Sequence, residues 1–273
     1  MLSGMPALAT VVEALEAIAP LRLAAPWDAV GLLVATRRPA IGRILTCLSV
    51  TSAVVHEAVA ERVDLVVSHH PLPFKPVARL VDDSLPGSLL LDLATAGIGV
   101  WSAHTAWDSA AGGINDQLAA LLGLADVRPL VADAVDPTVG TGRGGLPDDA
   151  PVLTTVADVA TRLCRALGVC GAHVVGDPGR PAGRVGIVCG SGGECLPLVA
   201  AAGCRTLVTG ELRLHDALAA DHADVAVVAV GHQASEQFGM RSLGRRLEAA
   251  VPGIECRESR FDRDPLPWLP LQG

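Results

Sequence analysis

Two stretches of this sequence alternate short apolar runs with amphipathic ones, and that alternation restricts the fold more than any other feature. In the first, Arg43 to Val50 predicts a strand. Thr51 and Ser52 can cap a following helix whose apolar face is Val54, Val55, Ala58 and Val59. Asp64 to Ser68 predicts a second strand, short and apolar as in a sheet covered on both faces. Leu89 to Ala96 predicts a helix stopped at Gly97, and Ile98 to Ala103 a third strand. The second stretch repeats this organisation. Arg184 to Cys189, Arg205 to Thr209 and Val225 to Val230 predict strands. A helix follows the Gly190 to Gly193 turn, another passes through His215 to Ala220, and a longer one runs from about His232 to Ala249. Such alternation predicts parallel sheets with right-handed crossovers, an α/β fold.

Between these stretches, residues 125–183 are rich in Gly, Pro and Asp. Gly140 to Gly145 and Asp177 to Pro181 read as loops, and Thr154 to Leu167 as a helix. The sequence therefore divides into an N-terminal α/β lobe (1–124), a connector with at least one helix (125–183) and a C-terminal α/β lobe (184–273).

Composition removes several functions. Half of the 273 residues are hydrophobic, enough for a substantial core. Three Phe, four Trp and no Tyr leave few stacking platforms for single-stranded nucleic acid. The net charge of −8 disfavours an extended phosphate-binding surface, while leaving room for a local basic pocket that takes a small phosphorylated substrate. No apolar run reaches the ~18 residues of a membrane span. The apolar first thirty residues are interrupted by Glu13 and Glu16, and are expected to hold an amphipathic helix with Leu8, Val11, Val12, Leu15 and Ile18 on one face. The seven cysteines form no C-x-x-C pair and are expected to be mostly buried small hydrophobes in a reducing, cytoplasmic setting.

Four segments past the carboxyl ends of predicted strands gather the chemistry, the place where parallel sheets carry their sites. They are Ser68-His69-His70-Pro71, His104 to Asp108, Gly231-His232 to Glu236, and Thr209-Gly210-Glu211 with His215. Adjacent histidines on extended chain face opposite ways and suit two neighbouring ions better than one. His232 and Glu236, like Glu211 and His215, are spaced to share a helix face. Taken singly, each has a bland reading: a polar loop, a helix cap, a surface glutamate. Together they hold five of the eight histidines, which favours a site.

At these residues the chain resembles the Nif three-like family, many of whose members are labelled GTP cyclohydrolase I type 2 homologues. The resemblance runs from Pro26-Trp-Asp-Ala-Val-Gly-Leu-Leu33 through Ser68-His-His-Pro-Leu-Pro-Phe-Lys75, His104-Thr-Ala-Trp-Asp108 and Gly112-Gly-Ile-Asn-Asp116. It continues through Cys189-Gly-Ser-Gly192, Thr209-Gly-Glu211 with His215, and Gly231-His-Gln-Ala-Ser-Glu236. It implies metal ligands at His69, His70, Asp108, His232 and Glu236, with His104 at or beside the site. It also implies two mainly parallel-sheet α/β lobes facing a dinuclear centre, no large inserted domain, and assembly into a homohexameric ring. Ala29 and Ala106 depart from the family, standing where relatives often carry Asn.

Gly140-x-Gly142-x-x-Gly145 matches a dinucleotide fingerprint only as a string, and no P-loop motif occurs. The expected function is a metal-dependent hydrolase acting on a small molecule through two divalent ions (Zn, Mn, Fe, Co or Ni), with Glu211, His104 or His215 passing protons. The alternative is a non-catalytic metal carrier, metal sensor or interaction scaffold.

Overall fold

In a computed structural model of the chain, residues 4–147 and 154–268 are described. The chain forms two compact units, one comprising residues 1–107 with 239–263, the other 108–238 with 264–273.

The first unit opens with helix α1 (Leu8–Ile18), which buries Val11, Leu15 and Ile18 and leaves both glutamates exposed. Its sheet is built from β1 (Gly31–Val34), β2 (Arg43–Cys47), β3 (Leu65–Ser68), β4 (Gly99–Ser102) and β13 (Glu255–Glu258). They lie in the order β1-β4-β3-β2-β13. Every pairing is parallel except that of β1 with β4. Helix α2 (Ser52–Ala60) begins where Thr51 accepts a hydrogen bond from the Val54 amide. Helix α3 (Leu85–Ala96) ends at Gly97, whose left-handed φ of 67° suits a residue without Cβ. Val54, Val55, Ala58, Leu89, Leu90 and Leu93 from these helices pack with Leu45, Val66 and Val100 on one sheet face. Ile44, Leu65, Val67 and Trp101, alternating with those positions, are buried on the other. Val59, expected on the apolar face of α2, is exposed. Glu57 is buried instead, because it accepts hydrogen bonds from Ser259 and Arg260.

Helices α4 (His104–Ser109) and α9 (His232–Ala250) each carry the chain from one unit into the other. The second unit contains α5 (Ile114–Leu122), β5 (Leu124–Arg128), the hairpin β6 (Val131–Ala132) with β7 (Gly140–Thr141), β8 (Arg143–Pro147), α6 (Val156–Leu167) and β9 (His173–Val175). There follow β10 (Val185–Ile187), α7 (Leu196–Ala201), β11 (Thr206–Thr209), α8 (Leu214–His222) and β12 (Ala226–Ala229). Its six-stranded sheet runs β5-β8-β10-β11-β12-β9. Only β10, β11 and β12 are mutually parallel. The other three pairings are antiparallel, so this sheet is mixed rather than mainly parallel. Helices α7 and α8 cover it with Leu196, Val199 and Ala220 against Leu207, Val225 and Val227.

The 125–183 stretch thus supplies β8, β9 and most of β5 to this sheet and α6 to the same unit, and α6 starts at a capping box between Thr155 and Asp158. The chain's last strand, β13, returns to pair with β2, so a division at 124 and 183 does not follow the compact units. The Gly140–Gly145 string is a correction too: it lies in β7 and β8 rather than in a loop. It carries Arg143, which is 1% exposed. That guanidinium donates to the carbonyls of Gly140 and Gly142 at 2.8 Å and of Ser109 and Ala110 at 3.2 Å, and pairs with Asp116. One buried cation thereby satisfies the carbonyls that end α4. Three of the seven cysteines, Cys47, Cys189 and Cys204, are buried, fewer than expected, and all seven are free thiols. Among the described residues no helix is long and apolar enough to cross a membrane.

Removing Arg143 leaves a carboxylate and several carbonyls without their common donor. Arg143→Ala is expected to cost about 3–5 kcal/mol of stability in urea unfolding. An unchanged midpoint would show that water replaces the guanidinium at no cost.

Candidate metal centre

In the first unit the in-register pairing of Ser68 with Ser102 makes β3 and β4 end together. The next residues, His69 and His104, therefore emerge side by side, the His104 amide donating to the His69 carbonyl at 3.0 Å. Ser68 Oγ and Ser102 Oγ donate to the carbonyls of His70 and His69 at 2.8 and 2.6 Å and fix the turn. His69 is fully buried, while His70 and His104 are half-buried. One ring nitrogen from each of the three histidines lies within 4.8 Å of the others, a spacing that can hold a metal ion.

Two of these rings are oriented from behind. His70 Nδ1 meets Ser49 Oγ at 2.7 Å, and His104 Nδ1 meets Asp28 Oδ1 at 2.6 Å. Asp28 also accepts the amide of Thr105 at 3.2 Å and its hydroxyl. Burial works against the charge of Asp28, but the hydrogen bonds from His104 and Thr105 outweigh it and hold the carboxyl below its ordinary pKa. With Nδ1 engaged, Nε2 is the nitrogen each ring presents to a metal. His104 has φ +29°, a region non-glycine residues rarely occupy, and the Asp28 contacts support that conformation.

In the second unit, His232 opens α9 and Glu236 lies one turn on, with Nε2 and Oε2 3.2 Å apart. Glu236 is buried, and its carboxylate lies within 4.8 Å of that of Asp108, near the end of α4. His232 Nδ1 contacts Glu211 Oε1 at 3.1 Å. The hydrogen bond to Glu236 raises the His232 pKa; burial opposes this, Glu211 adds to it, and the result is about 9. To serve as a metal ligand, His232 would have to give up that proton. Burial, reinforced by the charges of Asp108 and Glu236, pushes the Cys189 thiol well up and keeps it neutral.

Asn115 and the glycine loops hold these donors. Asn115 donates to the Asp108 carbonyl at 3.0 Å and accepts from the Cys189 amide at 2.9 Å. Ser235 Oγ accepts the Gly190 amide at 2.9 Å. Gly190 has φ +62°, and a Cβ there would sit 2.1 Å from Glu236 Oε1. A cavity of about 430 Å³ opens beside His232, lined by His173, Glu211, Leu214 and Trp268 among others.

The structure thus groups His69, His70 and His104 in one unit, and Asp108, His232, Glu236 and Glu211 in the other. His215, exposed on the first turn of α8, belongs to none of the donor groups among the described residues. Sequence reasoning did not single out Ser49, and it quoted Asp28, Asn115 and Ser235 only as parts of motifs.

A family profile described as Duf34/NIF3 (NGG1p interacting factor 3) matches residues 6–265. NIF3-like protein 1 of Drosophila melanogaster is 32% identical over 262 residues, covering 95% of this chain and 88% of that protein. A GTP cyclohydrolase 1 type 2 homolog of Streptomyces coelicolor is 34% identical over 235 residues, covering 85% and 82%. The crystal structure of a Bacillus cereus protein related to NIF3 superposes with a TM-score of 0.88 at 20% identity, covering 97% of this chain and 100% of that one.

Gly190→Ala combines an unfavourable φ with a clash on Glu236. A loss on the order of 1–3 kcal/mol is expected in thermal or urea unfolding of the metal-free protein. Wild-type stability in that variant would mean the loop yields and does not position Glu236.

Proposed function

We propose that this chain, which belongs to the Duf34/NIF3 family, holds two divalent metal ions and uses them in hydrolysis of a small molecule. The observation that carries the reading is the grouping of buried and half-buried donors: the three-histidine set, and Glu236 with His232 at 3.2 Å and the Asp108 carboxylate nearby. The donor chemistry fits: neutral imidazoles and carboxylates, without thiolate, suit Zn, Mn, Fe, Co or Ni. In this reading His69, His70, Asp108, His232 and Glu236 are the ligands. Bound there, two divalent ions would supply Lewis acidity and lower the pKa of water. The label GTP cyclohydrolase 1 type 2 homolog, borne by relatives, names GTP ring opening as one candidate reaction.

The chain's own groups then have separable tasks. Asp28 holds Nδ1 of His104, so that ring can exchange a proton only through Nε2 or stay fixed as a ligand. Glu211 orients His232 through Nδ1 and, being exposed on its other side, can also pass a proton to solvent. His215 belongs to none of these donor groups among the described residues, which makes it the weakest candidate for proton transfer. A homohexameric ring and a cytoplasmic, reducing location complete the proposal; light scattering tests the former.

Metal content per chain by plasma mass spectrometry decides the reading. Two ions per chain are expected, falling to one or fewer in folded Glu236→Gln and His70→Ala variants. A protein that takes up no metal even after reconstitution would overturn the proposal. Two tightly held ions without turnover of GTP or a broad phosphoester panel would move the reading to a metal carrier or sensor.

A further inference from the structure

Two of the chain's few aromatic side chains are exposed together at the histidine cluster of the first unit. Trp27 is 66% and Phe74 55% exposed. Their ring centroids are 6.4 Å apart, tilted by 47°, and each also touches the His104 ring, at 5.8 and 6.0 Å. Large apolar rings left in water beside a cluster of candidate metal donors mark a binding surface better than scattered ones do. Both are anchored. Trp27 precedes Asp28, which holds His104, and Phe74 follows Leu72, which is buried in the core against α2 and α3. The prolines at 71, 73 and 76 stiffen the segment between.

The residue after Phe74 is Lys75, the only lysine in the chain; every other cationic side chain among the 21 is arginine. Lys75 is exposed and, among the described residues, takes part in no hydrogen bond or ion pair. A lysine ammonium is a compact, mobile point charge that meets an anion without the planar geometry a guanidinium imposes. In a chain of net charge −8, an exposed cation one residue along from Phe74 gives an anion a local foothold that the surface as a whole does not offer.

We propose that Trp27, Phe74 and Lys75 form a subsite for a flat aromatic ring that carries an anionic group, of the kind found in a nucleoside monophosphate. The tilted rings form a corner in which a planar ligand stacks face-on to one and meets the other at an inclination of 47°. Lys75 meets the anionic group. A ring held there lies one ring-contact away from His104, which brings its substituents to the metal donors. The inference rests on the metal-centre reading for why such a ligand is brought to this place, and it names the substrate class for that centre.

Calorimetric titration of the full chain, with metal content measured on the same samples, tests it using 5′-AMP, adenosine and ribose 5-phosphate. AMP is expected to bind tightest. Phe74→Ala and Trp27→Leu should weaken AMP and adenosine about fivefold or more while leaving ribose 5-phosphate unchanged. Lys75→Ala should weaken AMP and ribose 5-phosphate and leave adenosine unchanged. A metal-loaded wild type that binds no AMP, or binds it equally in all three variants, overturns the subsite and leaves the metal centre standing. AMP binding with this variant pattern in a chain that takes up no metal keeps the subsite and sinks the centre.

Discussion

Parallel pairing in register is the constraint from which the candidate centre follows. Ser68 pairs with Ser102 and Thr209 with Ala229, so strands in each sheet finish level with one another. The chain then leaves the sheet at one edge from several strands at once. The backbone bonds continue the ladder one step past the strands: His104 to His69 in the first unit, Gly210 to Gly190 and Gly231 to Gly210 in the second. Side chains placed there have their Cα positions set by sheet geometry, not by a loop's own preferences. Donor groups on such ends need no metal to assemble them, which lowers the ordering cost that a binding ion must offset.

Sheet ends fix where a histidine sits but not which nitrogen it offers. That second task falls to Ser49, Asp28 and Glu211, each an oxygen against an Nδ1. They come from separate segments, so the ring orientations depend on the assembled core rather than on local sequence. The buried Arg143 plays the matching part for the backbone, gathering the carbonyls at the end of α4 next to Asp108. A charged pair is costly to bury, and a hydrophobic replacement of both partners is often neutral elsewhere. Here the guanidinium also satisfies four carbonyls, which no apolar side chain can do.

The alternation of strands and helices, the caps at Thr51 and Gly97 and the strand-end histidines could be read from sequence because each is a local pattern with a local cause. What could not be read is non-local. Arg143 sits in a Gly-rich string that looks like a loop, and only the pairing of β8 with β10 and β5 makes it strand. Strand β13 is short and polar, with Glu255, Arg257 and Glu258 among its four residues. It is an edge strand held by β2, and its composition gives no sign of that. Glu57 reads as a solvent-facing helix residue until Ser259 and Arg260, some two hundred positions away, come to meet it. Within the site, ligand-type residues and Glu211 announced themselves by strand-end placement, whereas Ser49 and Asp28, which orient two of the rings, did not. A partner such as Ser49 needs only an oxygen in the right place, and many residues in any sequence offer one.

The backbone of His104 couples the strand end to the ring it carries. Its φ of +29° costs free energy, on the order of 1–3 kcal/mol for a non-glycine residue, and such a conformation persists only if its surroundings over-determine it. Asp28 does so from two directions, binding the imidazole and the amide and hydroxyl of Thr105 at the start of α4. The strained residue thus begins the helix that runs on to Asp108, so the same turn that aims His104 also sets the start of that helix. Relaxing the turn would release strain, but it would also rotate α4 from its first residue. Retaining the strain is consistent with a site in which the direction of one ring matters more than the local stability of the chain that carries it.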